Sequence, residues 1–346
     1  MRARWAAAPT NAALAAQLAT RYIERCRAEG DPRQLGHAEA ILGSWWEQEK
    51  PPTDVLVLRA TIRQSRHEFR AALADLGGVL RVAPNHAQAW LTQATILTVL
   101  GRYEEARRSC LPLLRLTSEL VAVTAGASVA SLSGQAERSC QTLERALERA
   151  NAASPSERVW ALTVLAETSA RLGRSADAER FFREAMALGH RDVYLLGAMA
   201  DFLLDQNRAA EVLALLRAET RVDALLLRLC LAEVSLNPRA PEAVAHCAAL
   251  EDRFQASRLR GDFAHQREEA RFLLNVRQQP VQALRCARAN WEAQKEPADL
   301  RIALEAALAV RDAAAAAPCL AFLKEHGLED VAIGKLAAEL QALPAL

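Results

Sequence analysis

The chain has few of the residues that turns and β-sheets need. Among its 346 residues are only 14 glycines and 13 prolines, and the aromatic residues make up 5%. A β-rich or loop-rich protein carries more turn-forming residues than this. Alanine is abundant instead, and it is the best helix former. These scarcities argue against an all-β protein and favour an all-α one.

Neither charge sign is in excess, and long apolar runs are missing. Lys+Arg number 43 and Asp+Glu 42, so the basic excess typical of nucleic-acid-binding proteins is absent. No uninterrupted apolar run reaches the roughly 20 residues that span a bilayer. We therefore expect no nucleic-acid partner and no membrane insertion. The start, Met1 to Trp5, lacks the apolar core of a signal peptide. This favours a cytoplasmic location, with a periplasmic one as the alternative if a signal peptide has been removed.

Signatures of catalysis and cofactor binding are also missing. The seven cysteines include no CxxC pair, and their spacing fits neither a zinc site nor a disulfide framework. No GxxxxGK[ST], GxGxxG, HExxH or GxSxG motif occurs. We therefore predict no cofactor, no metal and no enzymatic activity.

What the sequence does contain is a repeat with a period of 34 residues. Small and large apolar residues recur in columns: Ala38, Ala72 and Ala106; Leu42, Leu76 and Cys110. A small residue allows two helices to approach closely where they cross. The pattern predicts antiparallel helix pairs that touch at Ala72, Ala106 and Ala178, and the same register leaves Ala209 exposed.

The clearest copy of the repeat lies between residues 87 and 118. Trp90 and Ala94 occupy its first helix, Gly101 its turn and Ala106 its second helix. This arrangement resembles the tetratricopeptide repeat, although Cys110 stands where that family usually has an aromatic residue. The resemblance implies an all-α, right-handed α-α superhelix, that is, a solenoid of antiparallel helix hairpins.

The repeat is strong in residues 1–222 and degenerate in residues 223–346. Gly173 and Asn207 mark later turns, and asparagine tolerates the left-handed backbone of a helix end. Beyond residue 222 the glycine turn and the aromatic positions are lost, but helical segments continue. We predict about nine hairpins, with residues 223–346 forming degenerate repeats and a C-terminal cap continuous with the first part.

In tetratricopeptide proteins the first helices line a concave groove that binds an extended peptide or a partner helix. The resemblance therefore implies a protein–protein interaction scaffold whose partner is a protein or peptide. Mapped by spacing, the predicted groove comprises Thr61, Gln64, Gln88, Leu91, Thr95, Thr98, Thr124, Ser128, Glu167, Arg171 and Asp201.

An enzyme or metal-binding module around His265 and Glu269 is the alternative. The two residues are four positions apart and would share one face of a helix. A capped, solvated helix start gives the same pattern, because acidic residues are favourable near a helix N-terminus. A metal also needs further ligands. The interaction scaffold is therefore the preferred interpretation.

Overall fold

The computed structural model describes residues 2–261 and 266–343, which are helical without any β-strand. This confirms the predicted all-α fold. After α1 (Arg2–Ala6), the first five hairpins comprise α2 (Ala12–Glu29) and α3 (Arg33–Trp46); α4 (Thr53–Ser65) and α5 (Phe69–Val82); α6 (Ala87–Val99) and α7 (Tyr103–Cys110), with the short α8 (Leu113–Leu116); α9 (Glu119–Ala130) and α10 (Ala136–Arg149); α11 (Pro155–Arg171) and α12 (Ser175–Ala187).

Four further hairpins and a terminal helix follow. They comprise α13 (Val193–Asp205) and α14 (Ala209–Leu216); α15 (Asp223–Leu236) and α16 (Pro241–Leu259); α17 (Gln266–Asn275) and α18 (Pro280–Ala293); α19 (Pro297–Ala309) and α20 (Ala313–His326); and α21 (Val331–Gln341). We number the hairpins one to nine in this order. One hydrophobic core cluster continues from Leu120 to Phe272 and includes both Val222 and Leu225, so packing is unbroken at residue 222.

The alanine columns lie in the core. Ala72, Ala106 and Ala178 are completely buried, in agreement with the predicted helix crossings. Ala209, predicted to be exposed, is buried instead. It lies two residues after the turn at Asn207, where the same position of hairpin three holds the buried Tyr103. In hairpins two, three, four and six the first residue of the second helix is buried.

Eight of the nine hairpin turns contain a residue in the left-handed conformation, and the turn of hairpin seven, residues 237–240, contains none. Gly101 and Gly173 have φ of 71° and 77°, and Asn207 has φ of 57° as predicted. Gln278 and Arg311 take the same conformation, with φ of 55° and 57°. Hairpins eight and nine have thus lost the glycine but have kept the backbone geometry that glycine supports.

The first helices of the hairpins lie on the inside of the curvature. Consecutive first helices contact one another, as α9 does α11 and α13 does α15, whereas consecutive second helices in the described residues have few or no such contacts. A stack whose neighbouring hairpins are closer together on one side curves toward that side. The inner wall of the superhelix is therefore formed by α2, α4, α6, α9, α11, α13, α15, α17 and α19.

The superhelix closes on itself through contacts between successive turns. The Lys295 amide, just before hairpin nine, donates to the Val99 carbonyl in hairpin three at 2.7 Å. The Ala136 amide, at the start of α10, donates to the Glu329 carboxylate at 2.7 Å. In both cases the contact joins hairpins five or six steps apart. We call these contacts the seam.

Aromatic residues fill the seam. The rings of Tyr103 and His326 have centroids 4.8 Å apart, and Phe322 lies 4.3 Å from His326 and 5.1 Å from Trp291. A Cβ at Gly101 would lie 2.7 Å from the Phe322 ring, so only glycine fits there. Among the described helices, none is both long and apolar enough to cross a membrane.

Candidate functional site

Two of the predicted groove residues belong to the core. Thr61 is 6% exposed and Thr124 is completely buried. Their hydroxyls donate to the carbonyls of Val57 and Leu120, four residues earlier, at 2.9 and 2.7 Å. The structure contradicts the prediction for these two residues, because a threonine that bonds its own helix can be buried without an unsatisfied hydroxyl.

Other predicted residues of the first half lie within reach of solvent. Gln88 and Thr95 are exposed on α6, while Gln64, Leu91, Thr98 and Ser128 are half-buried. The hydroxyls of Thr95, Thr98 and Ser128 donate to the carbonyls four residues earlier. Since these donors are already used, this half of the wall offers a partner mainly its shape.

The second half of the inner wall is charged and cross-linked. Asp201 on α13 accepts from Arg228 on α15 and from Arg271 on α17, both at 2.5 Å. Arg171 donates to Ser131 at 2.9 Å. Glu167 on α11 accepts from the Tyr194 hydroxyl of α13 at 2.8 Å. The structure thus connects two predicted residues, Glu167 and Asp201, to neighbouring first helices.

Apart from Arg171, sequence analysis did not identify the arginines of this wall. Arg301 on α19 makes a two-pronged pair with Asp205 on α13, at 2.7 and 2.8 Å. Arg267 on α17 lies 2.8 Å from Glu296 and 3.4 Å from Asp299. The 34-residue period already links Arg267 to Arg301, Tyr194 to Arg228 and Glu167 to Asp201. Following the period would have linked Arg267 with Arg301 and pointed to Arg228, but it would not have found Arg271.

The environment shifts several pKa values in this wall. Burial raises the pKa of Glu167, and nearby Glu296 and Asp201 raise it further. Burial also raises the pKa of Asp299 to about 6. For Asp201 burial acts in the same direction, but Arg228 and Arg271 outweigh it and lower the pKa to about 2. The charge of Asp201 is thus stabilised, whereas that of Glu167 is not.

The alternative site around Glu269 has a different character. Glu269 is 8% exposed and pairs with Arg258, so its charge is compensated. It borders a cavity of about 330 Å³ together with Phe254, Phe272 and Cys286. Its proposed partner His265 lies outside the described residues. Within residues 2–261 and 266–343, no three His, Cys, Asp or Glu side chains are grouped to hold a metal.

Solved structures of several tetratricopeptide proteins align with this chain at 17% identity or less. No protein-family profile and no curated relative matches the sequence. A thermophilic tetratricopeptide protein of Thermus thermophilus aligns with a TM-score of 0.45 and 17% identity, over 55% of this chain and 99% of its own. A tetratricopeptide repeat protein of Parabacteroides merdae gives 0.36 and 15%, over 94% and 99%. The tetratricopeptide domain of P58(IPK) gives 0.26 and 17%, over 95% and 98%.

Proposed function

We propose that this tetratricopeptide-like solenoid is a protein-interaction scaffold that holds an extended peptide or a partner helix against its inner wall. One observation carries the proposal. The first helices bury most of their small and apolar side chains, yet Gln88, Thr95 and Tyr194 on these helices stay exposed. A surface supplied by several consecutive repeats suits an elongated ligand.

The two halves of the wall would contribute differently to binding. Around Thr95 the short side chains leave room for a partner's backbone, and few free donors remain. Around Tyr194 a large aromatic ring and charged side chains are available, and aromatic residues are frequent anchors of protein interfaces. We therefore assign shape matching to the first half and side-chain recognition to the second.

A matched pair of variants tests the proposal. Thr95 on α6 and Thr142 on α10 are both exposed, and each hydroxyl donates to the carbonyl four residues earlier, at 3.0 and 2.8 Å. Thr142 belongs to a second helix and hence to the outer surface. Thr95→Glu should abolish capture of partner proteins from an extract of the native organism, while Thr142→Glu should capture as the parent does.

The melting temperature of both variants must be measured beside capture. Each change places a glutamate at an exposed helical position, so the two melting temperatures should be equal. Equal melting with loss of capture in Thr95→Glu alone supports the inner wall. Loss of capture only in Thr142→Glu would move the binding surface to the outer face. Capture that neither change affects would exclude the inner wall around Thr95.

A further inference from the structure

We infer that Glu167 and Tyr194 together form a site for one basic side chain, lysine or arginine, of the partner segment. The inference rests on the proposed function and deepens it by specifying the chemistry of the partner. It is carried by the open face of one aromatic ring, by the lack of a cationic partner for one carboxylate, and by the excess of acid around them.

Tyr194 offers an accessible ring in a fixed orientation. The side chain is 63% exposed although it belongs to the inner wall. Its hydroxyl is held by Glu167 at 2.8 Å, which joins α13 to α11 and restrains the ring. A cation placed over the face of such a ring is attracted by its quadrupole, with a larger gain where water is partly excluded.

Glu167 lacks the ionic partner that other carboxylates of the wall possess. Asp201 is paired with two arginines and Asp205 with Arg301. Among the described residues, Glu167 receives only the hydrogen bond of a neutral phenol and takes part in no ion pair. Arg171, one helical turn further on, lowers the pKa of Glu167 by its charge, against the larger effect of burial, but donates its hydrogen bonds to Ser131 and Thr168. A cation from outside would complete this site.

The surroundings are acidic as well. Burial mainly raises the pKa of Glu167, and Glu167 mainly raises the pKa of Tyr194. Glu296 raises both pKa values further, while Arg171 opposes the shift of Glu167 and Arg267 that of Tyr194. The ion-paired side chains of the second half of the wall, counted together with Glu167 and Arg171, include more carboxylates than guanidiniums. The carboxylates are Glu167, Asp201, Asp205, Glu268, Glu296, Asp299 and Glu305, and the guanidiniums are Arg171, Arg228, Arg267, Arg271 and Arg301. An acidic segment would be repelled, and a basic one attracted.

Selection from a library of random peptides displayed on phage tests the inference with the full chain. The parent should enrich peptides that share a lysine or arginine at one position. In a synthetic peptide of that sequence, glutamine in place of the basic residue should weaken binding to the parent about tenfold. In the Glu167→Gln variant the same replacement in the peptide should change the affinity little, because the carboxylate that pairs with the basic residue has been removed.

Two further variants, Tyr194→Leu and Glu148→Gln, extend the comparison with Glu167→Gln. Glu167→Gln retains an acceptor for the Tyr194 hydroxyl, and Tyr194→Leu removes the ring face. Both should bind the basic peptide more weakly than the parent. Glu148→Gln, at an exposed position of α10, changes the net charge equally and should bind as the parent does.

The possible outcomes distinguish failure of the basic-side-chain site from failure of the scaffold function. Enriched peptides without a shared basic residue would overturn the inference and leave the scaffold function standing. The inference would also be overturned if replacing the shared basic residue weakened binding by the same factor in the parent and in Glu167→Gln. If the parent enriches no peptide at all, the proposed function itself fails, and the inference fails with it.

Discussion

At the scale of single residues, the turns show how backbone geometry outlasts sequence. Gly101 and Gly173 adopt positive φ without steric cost, and Asn207 tolerates it. Gln278 and Arg311 take the same conformation with a Cβ that is disfavoured there. The sequence signal for a turn disappears at these two positions, although the turn does not. A search for glycine therefore underestimates the number of regular hairpins in residues 223–343.

Replacement of Arg311 by glycine should stabilise the protein. Arg311 is exposed, with φ of 57°. Relief of the left-handed strain, about 1–2 kcal/mol, exceeds the entropic cost of glycine, about 0.5–1 kcal/mol. We expect the free energy of unfolding in urea to rise by about 0.5–1 kcal/mol.

Arg288→Gly serves as the control for this change. Arg288 is an exposed arginine inside α18, where glycine should destabilise by about 1 kcal/mol. Opposite signs for the two arginine-to-glycine changes support the account of the turn. Equal destabilisation would show that residue 311 is not strained.

Burial of polar residues was harder to predict. Thr61 and Thr124 have the polarity and the spacing of groove residues, yet both lie in the core. A hydroxyl that bonds the carbonyl of its own helix satisfies itself locally, so polarity alone does not indicate exposure. Glu167 and Asp201 differ, because a carboxylate cannot be satisfied by its own helix carbonyls.

At the scale of elements, the alanine columns explain how each hairpin packs. Ala38, Ala72 and Ala106 are all completely buried. Their period was visible in the sequence because the same contact recurs in every hairpin. Helix positions, hairpin number and helix crossings could be predicted for this reason. The position of Ala209 could not, because it depends on the entry angle of the second helix after the turn.

Enlarging one of these alanines should disturb the helix crossing. Ala106→Leu adds volume at a completely buried site of α7 and should lower the free energy of unfolding by about 1–3 kcal/mol. Ala74, exposed on α5, provides the control, for which a change within about 0.5 kcal/mol is expected. Similar losses in the two leucine variants would mean that residue 106 does not lie at a helix contact.

At the scale of the whole molecule, the seam distinguishes this chain from an open stack of hairpins. It joins residues more than 190 positions apart through backbone atoms and through side chains such as those of Tyr103 and Glu329. Such contacts occur once and leave no period in the sequence, which is why sequence analysis missed them. The accessible surface is 17316 Å², above the roughly 14,000 Å² typical of a compact protein of this mass. Closure therefore coexists with a large accessible surface.

A substitution that weakens the seam should expose both of its backbone hydrogen bonds, at Lys295 and at Ala136, to exchange with solvent. Phe322→Leu removes a ring that contacts Tyr103 and Trp291. We expect faster hydrogen exchange at the amides of Lys295 and Ala136, which bond across the seam. An exchange measurement that resolves single amides checks this.

A ring removed elsewhere provides the comparison. Phe254→Leu breaks the contact with Phe272 inside hairpins seven and eight and should leave both seam amides unchanged. If Phe322→Leu accelerates exchange at Lys295 but not at Ala136, the two contacts open independently and do not form one seam.

The central claim, that partners bind to the inner wall, is tested most directly by photo-crosslinking in the native organism. Gln88 on α6 and Gln141 on α10 are both exposed, and each amide bonds a side chain one turn away. A photoreactive amino acid in place of Gln88 should crosslink a partner protein, and one in place of Gln141 should not. Crosslinking at residue 141 without crosslinking at residue 88 would contradict the account.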